Sequence, residues 1–374
     1  MTRAFDIVFV GLTLSSSWGN GHATTYRSLL RGLEAEGADV LFLEHDAPWY
    51  AENRDLPRPD FATLAYYYDA EELVSLFAPT IARADTVIVG SYVREGVDVI
   101  DALADLGPKR LCYYDIDTPV TMARLVRGDE EYLARRQVPL FDAYFSFSGG
   151  QVLDRLEEEF GARRALPLYC SVDESHYRPT GDTPVWDLGY LGTYSPDRQP
   201  MLDRLLIEPA RRLPHMRFVV AGPQYPRQID WPENVERIEH LPPDGHAGFY
   251  ARQRFTLNIT RADMVAAGWS PSVRLFEAAA CGTPIISDAW RGLDELLPEG
   301  EAIFIAHDSD DVVTALTELP AARREAIADE ARRRVLQFHT GRARARGLLR
   351  ALSAIPYRTG IRPERPVVLV RETQ

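Results

Sequence analysis

The chain has 374 residues and 45% hydrophobic side chains, enough for roughly two to three domains that each bury a core. Its 42 Lys+Arg against 55 Asp+Glu leave a net charge of −13, which argues against an extended nucleic-acid footprint while leaving local basic pockets open. The only lysine is Lys109, in a Gly107-Pro108 turn, so a Walker A loop is absent and Schiff-base chemistry is not expected. Cys112, Cys170 and Cys281 are widely spaced and match neither a zinc pattern nor a disulfide framework, which fits a reducing compartment. No apolar run approaches a membrane span, and the run at Phe5–Val10 is too short for a signal sequence, so the expected location is the cytoplasm.

In chain order, an apolar strand at Phe5–Gly11 leads into an amphipathic helix from Ala23 to Glu36, closed by Gly37, and a second strand at Val40–Leu43. Further strands are expected at Thr86–Val89, Arg110–Tyr114 and Tyr144–Phe147, alternating with helices such as Gly96–Leu106 and Gln151–Phe160. The pattern loosens over residues 166–186, where Pro167, Pro179 and Pro184 suit a linker. A second series follows, with strands at Asp187–Leu191, Arg217–Ala221, Phe255–Ile259, Pro284–Ser287 and Ala302–Ile305 and helices at Gln199–Leu213, Val273–Ala280 and Asp310–Leu319. Ala/Arg-rich helical segments at Ala321–Phe338 and Gly341–Leu352 precede a tail that is expected to run extended from Pro356. Such alternation predicts an α/β protein with two doubly wound parallel-sheet domains over residues 1–180 and 181–340, and a C-terminal segment, 341–374, packing back on the first.

Ligands bind outside the carboxyl ends of strands in such sheets, so the loops after strands hold the candidate residues. In residues 270–288 a Ser-Pro-Ser start is expected to supply an N-cap and an N1 proline, Pro271, for a short helix that Gly282 ends, with Ser272 among the candidate donor contacts. Its amide groups and positive end suit a diphosphate, and Arg274 adds a charged fork. Glu277, one turn on, can accept both hydroxyls of a ribose, or the two residues can form an i,i+3 surface pair on a core helix. After the first strand of the second series, Gly192 permits close backbone approach and Arg198 opens a helix. Gly222-Pro223 after the next strand is a turn whose backbone could line a base pocket. After the first strand of the chain, Gly19 and Gly21 let the backbone reach a cleft. His22 at the helix start is a candidate general base, or else a capping or packing residue of the helix N-terminus.

Residues 270–288, with the preceding 257–264 stretch, resemble the signature of CgeB-like (spore maturation protein type) glycosyltransferases, relatives of GT4-type GT-B enzymes. The resemblance implies two Rossmann-like domains facing a cleft, a nucleoside diphosphate sugar as donor, a hydroxyl-bearing acceptor and no cofactor or catalytic metal. It places Glu277 on the donor ribose, Arg198 on the phosphate side, and Asp117, in the Asp-x-Pro turn at residues 117–119, beside the reacting centre, where it would orient His22. Eight residues before Glu277, where the fuller pattern has a second glutamate, this chain has Trp269. Asn258, Arg261 and Asp263 are the substitutes available for contacts to the donor sugar.

Asp115 and Asp117 also spell the Asp-x-Asp of metal-dependent GT-A enzymes, a short match that the two-domain layout contradicts. A nicotinamide-dependent oxidoreductase would use Gly19, Gly21 and the acidic Glu44, but Gly19 lies eight residues past the strand end and Thr24 stands where the third glycine belongs. A sugar-nucleotide epimerase or hydrolase, or a non-catalytic carbohydrate-binding relative, shares the expected fold.

Overall fold

A computed structural model describes residues 5–18 and 21–358. Gly19 and the tail beyond Arg358 lie outside the described residues. The chain divides into two compact units, one made of the chain up to Tyr169 plus the chain from Gly341, the other Cys170–Thr340. Residues 170–180, expected with the first domain, therefore belong to the second. There Val172 bridges to Thr340, and Val172 and Tyr177 join the unit's apolar core.

The first unit holds a seven-stranded parallel sheet of β1 (Ile7–Gly11), β2 (Val40–His45), β3 (Thr63–Tyr67), β4 (Thr86–Gly90), β5 (Leu111–Asp115), β6 (Ala143–Ser146) and β7 (Ala165–Pro167). Their order is β3-β2-β1-β4-β5-β6-β7. The four central strands β1, β2, β4 and β5 are buried along their whole length, which is why they read as unbroken apolar runs rather than alternating ones. Strand β3 lies at one edge and is mostly half-exposed; β7 is a three-residue edge strand inside the stretch read as linker. Neither shows the continuous apolar run that marks a central strand.

Helix His22–Ala35 covers the sheet with Tyr26, Leu29, Leu30 and Leu33. Helix Gly341–Ser353 packs on it backbone to backbone, since a Cβ at Gly32 would drive into the Gly341 carbonyl and one at Gly341 into that of Ser28. Ala345, Leu348, Leu352 and Ile355 complete this core, and Arg342 and Arg346 pair with Glu36 at 2.5 and 2.9 Å.

The second unit holds a six-stranded parallel sheet of β8 (Leu188–Leu191), β9 (Phe218–Ala221), β10 (Val235–Ile238), β11 (Thr256–Asn258), β12 (Ile285–Ser287) and β13 (Phe304–Ile305), ordered β10-β9-β8-β11-β12-β13. The helix expected at Gln199–Leu213 forms with a π-helical turn at Asp203–Ile207 between two α-helical turns. Among the described residues no helix is long and apolar enough to cross a membrane.

In both sheets the strand order reverses beside the first strand: between β1 and β4 in one, between β8 and β11 in the other. At such a switch point the loops leave the sheet in opposite directions and open a crevice at the carboxyl ends.

Candidate functional site

Arg274 sits at the switch point of the second unit. Its Nη1 donates to the Leu191 carbonyl at 2.7 Å and to Tyr190 Oη at 3.2 Å, and its Nη2 donates to the Ile259 carbonyl at 3.1 Å. Leu191 ends β8 and Ile259 directly follows β11, so one guanidinium ties together the two strands that flank the crevice. It also requires glycine at 192: a Cβ there would stand 2.6 Å from Arg274 Nη1. Gly222, at φ +139°, is pressed against the Gly192 carbonyl, so the loops after β8 and β9 meet where only glycine fits. Arg237, stacked over Tyr225 and Trp231, donates to the Val220 and Gly222 carbonyls, and Tyr225 Oη donates to the Gly192 carbonyl at 3.0 Å.

Helix Val273–Ala280 has Ser272 at its cap position, so it starts two residues later than an N1 Pro271 predicts. Ser272 has an extended backbone with no side-chain cap; its Oγ donates instead to Asn258 Oδ1 at 2.8 Å, and Pro271 precedes the cap rather than filling the first helical position. The physical reason is competition: a buried amide acceptor on the neighbouring strand offers Ser272 a better partner than the helix. The first-turn amides thus have no side-chain cap, as an anion site requires.

Arg198 is 8% exposed; its Nη2 donates to the Thr193 carbonyl at 2.6 Å while its Nε has no hydrogen-bond partner. Burial, with the positive charges of Arg274 and Arg261 nearby, holds the Arg198 guanidinium below the ordinary arginine range. Crowded, half-satisfied buried cations are relieved by an anion rather than by losing a proton.

Glu277 is buried at 5% exposure and accepts from Tyr250 Oη at 3.2 Å. Burial pushes its carboxyl up, opposed by Tyr177, Tyr250 and Arg274. The alternative of an exposed Arg274–Glu277 surface pair does not fit this burial. Asn258 is committed on every side: its Nδ2 donates to Thr260 Oγ1 and Ser287 Oγ, and its Oδ1 accepts from Ser272. It braces the crevice floor rather than presenting a free amide to a sugar. Arg261 and Asp263 are exposed at the start of the Ala262–Ala267 helix. Trp269, at φ +43°, donates from Nε1 to Glu295 Oε2 at 2.9 Å. Asp288 was not foreseen; buried, it accepts from Thr260 N and Oγ1, locking the loop after β11.

In the first unit, His22 Nε2 lies 2.9 Å from Asp117 Oδ2, joining the loop after β1 to that after β5. The His22 ring packs edge-on against Tyr92, itself at φ +61°, and its Nδ1 is covered and unpartnered. The Asp117 side chain is 40% exposed, so of the two it is the carboxylate that meets solvent. Gly21 precedes this helix as its cap, with nothing near its Cα face.

Asp115 is fully buried and accepts from Tyr144 Oη, Thr121 Oγ1 and Asp117 N at 2.6, 2.9 and 3.1 Å. Burial pushes its carboxyl up to about 6, against those hydrogen bonds. Among the described residues no group of three or more His, Cys, Asp or Glu side chains is arranged to hold a metal ion. Glu44, which an oxidoreductase would place on a ribose, is fully buried and accepts from Leu14 N, Ser15 N and Ser15 Oγ, which occupies it in shaping the loop after β1.

These two parallel-sheet Rossmann-like domains are a GT-B architecture. Residues 198–350 match the family described as glycosyl transferase-like. The D-inositol 3-phosphate glycosyltransferase of Mycobacterium sp. (strain KMS) is 29% identical over 163 residues, covering 38% of this chain and 35% of that protein. The chain thus aligns with about a third of the length of the curated relatives it matches. Among solved structures, Anabaena Alr3699/HepE in complex with UDP and glucose superposes with a TM-score of 0.64 at 13% identity, over 94% of this chain and 100% of that one. The alpha-glucosyltransferase (AGT) in complex with UDP gives 0.66 at 11% identity, over 94% and 100%. At such identities the likeness is one of fold.

Proposed function

We propose that this chain is a glycosyltransferase of the CgeB-like type that moves a sugar from a nucleoside diphosphate sugar to an acceptor hydroxyl. The observation that carries the reading is the group Arg198, Arg274 and Glu277 gathered at the switch point of the second unit, with helix amides free of a side-chain cap beside it. The second unit, residues 170–340, is assigned the donor and the first the acceptor. The match to the glycosyl transferase-like family spans residues 198–350, the part of the chain that contains this group, and the solved structures of the same fold hold UDP.

In this reading Arg198 Nε and the amides at Ser272–Arg274 bind the diphosphate, and Glu277 accepts the ribose hydroxyls. As the bond from sugar C1 to the diphosphate oxygen breaks, charge grows on the leaving phosphate. Fixed cationic and amide dipoles stabilise it without reorganising, the role a metal plays elsewhere. Gly192 and Gly222 let the donor lie against backbone. On the acceptor side, the accessible Asp117 carboxylate meets the hydroxyl while His22 holds its other oxygen, so positioning and proton removal fall to one pair. Arg261 and Asp263 stand at the donor-sugar end. Cys112, Cys170 and Cys281 are all buried and far apart in the sequence, which supports a reducing, cytoplasmic compartment.

The test is incubation of the protein with a panel of nucleoside diphosphate sugars. Slow release of one nucleoside diphosphate, accelerated by an acceptor, supports the reading; no turnover and no thermal stabilisation across the panel rejects it.

A further inference from the structure

Where a parallel strand runs out, the amides of its neighbours stop too, and its last carbonyl oxygens must find donors elsewhere. At the carboxyl edge of the second unit they find side chains. Arg274 covers the Leu191 carbonyl at 2.7 Å and Arg198 the Thr193 carbonyl at 2.6 Å. Both of these arginines belong to the group at the switch point. The Gly192 carbonyl between them accepts from Tyr225 Oη at 3.0 Å, and on the next strand Arg237 donates to the Val220 carbonyl and, at 3.1 Å, to that of Gly222. Tyr225 and Arg237 have no part in binding the donor so far.

Their placement is firm. Arg237 stands on β10, the edge strand, and its guanidinium lies over the rings of Tyr225 and Trp231 at 4.2 and 4.7 Å. Those two rings meet edge to face at 5.5 Å, so the phenol that caps Gly192 and the cation that caps Gly222 hold each other in place. Both Arg237 Nη atoms are spent on backbone, which leaves the residue to act on a ligand through the carbonyls it covers. An uncovered carbonyl oxygen beside a diphosphate would set like partial charge against the anion.

We propose that Arg237 and Tyr225 are positioning residues for the donor diphosphate: by covering the carbonyl oxygens of Gly192, Val220 and Gly222 they strip negative partial charge from the edge where Arg198 and Arg274 stand, so that it accepts an anion. The inference rests on the assignment of that crevice to the donor. It separates two kinds of arginine at one edge, those that meet the phosphates and one that silences the backbone behind them.

The experiment titrates the protein by calorimetry with the monophosphate and the diphosphate of one nucleoside, chosen among uridine, guanosine, thymidine and adenosine as the one whose diphosphate the wild type binds most tightly. The Tm without ligand is the folding control. Arg237→Met is expected to weaken the diphosphate about tenfold and the monophosphate about threefold, because the penalty grows with the phosphate charge. Arg237→Lys, which keeps a cation over the two rings, recovers most of that loss. Tyr225→Phe keeps the ring and the formal charge and uncovers only the Gly192 carbonyl, so it weakens the diphosphate about two- to threefold with the monophosphate unchanged. Equal losses for the two ligands in Arg237→Met, or no loss at all, overturn the proposal. Should Arg237→Met fail to fold, Tyr225→Phe decides, and unchanged diphosphate affinity there overturns it. A wild type that binds none of the diphosphates is a different result: it removes the donor reading, and this inference falls with it.

Discussion

The carboxyl edge of the sheet in the second unit is cationic, with Arg198 and Arg274 at the crevice and Arg261 nearby. The same edge in the first unit carries Asp115, Asp117 and His22. Both sheets have the same strand plan and reverse at the same place, so topology cannot be the source of the difference. It comes from the loops. In the second unit the end of β8 and the loop after β11 offer backbone carbonyls that Arg274 binds, and its neighbour Arg198 is left without a full set of acceptors. In the first, an acidic turn after β5 meets an imidazole at the start of the helix after β1. A switch point is thus a generic crevice, and the few side chains delivered to it decide which charge it receives.

The sharpest way to separate the two edges is to remove the pair in the first unit. Asp117→Asn or His22→Ala is expected to lower turnover about a hundredfold or more with donor affinity unchanged, read as kcat against a calorimetric Kd. Equal loss of donor affinity would break the division of labour. The converse is Glu277→Ala, expected to weaken donor binding about ten- to hundredfold, since a charged acceptor to two hydroxyls is lost. An unchanged Kd there removes the donor role from the second unit's helix.

The buried carboxyls sharpen the comparison through pH. Asp115 is pushed up from 3.8 to about 6, so between these values the native state holds a proton that the unfolded chain has released. Its contribution to stability is therefore present below about pH 4 and is lost as pH rises through about 6. Asp115→Asn is expected to flatten that slope, an effect on the order of 2 kcal/mol, measurable by urea unfolding at pH 4 and pH 7. An identical slope in both proteins would show that Asp115 is not the titrating group. The smallest effect concerns Arg198: Arg198→Gln is expected to weaken nucleoside diphosphate binding about fivefold with little change in Tm, because removing a buried cation whose Nε has no partner offsets the loss of its Nη2 bond to the Thr193 carbonyl. A fall in Tm with unchanged binding would make it a structural cation instead.

The central strands were legible because burial on both faces writes a continuous apolar run, as in β1 and β4. The edge strands β3, β7 and β10 were not foreseen, since half-exposed residues such as those of Val235–Ile238 carry no such run. The 273–280 helix is legible from its Ser-Pro-Ser start and the closing Gly282, yet it begins two residues later than Pro271 predicts, and the bond from Ser272 to Asn258, fourteen residues away in sequence, has no local signal. Asp288 and Tyr250 were missed for the same reason: nothing local marks them, and their role depends on which strand and helix stand opposite.

By itself, the sequence determined the alternation of strands and helices, the two parallel sheets and the positions of the loops that follow them, because backbone hydrogen bonding and apolar periodicity are local properties that each segment carries with it. Only the tertiary structure decided where the first unit ends and which polar groups are already spent on other protein groups. Burial and hydrogen-bond satisfaction belong to pairs of residues far apart in the chain. A side chain's capacity to meet a ligand is fixed by the partners it has left over once those pairs are made.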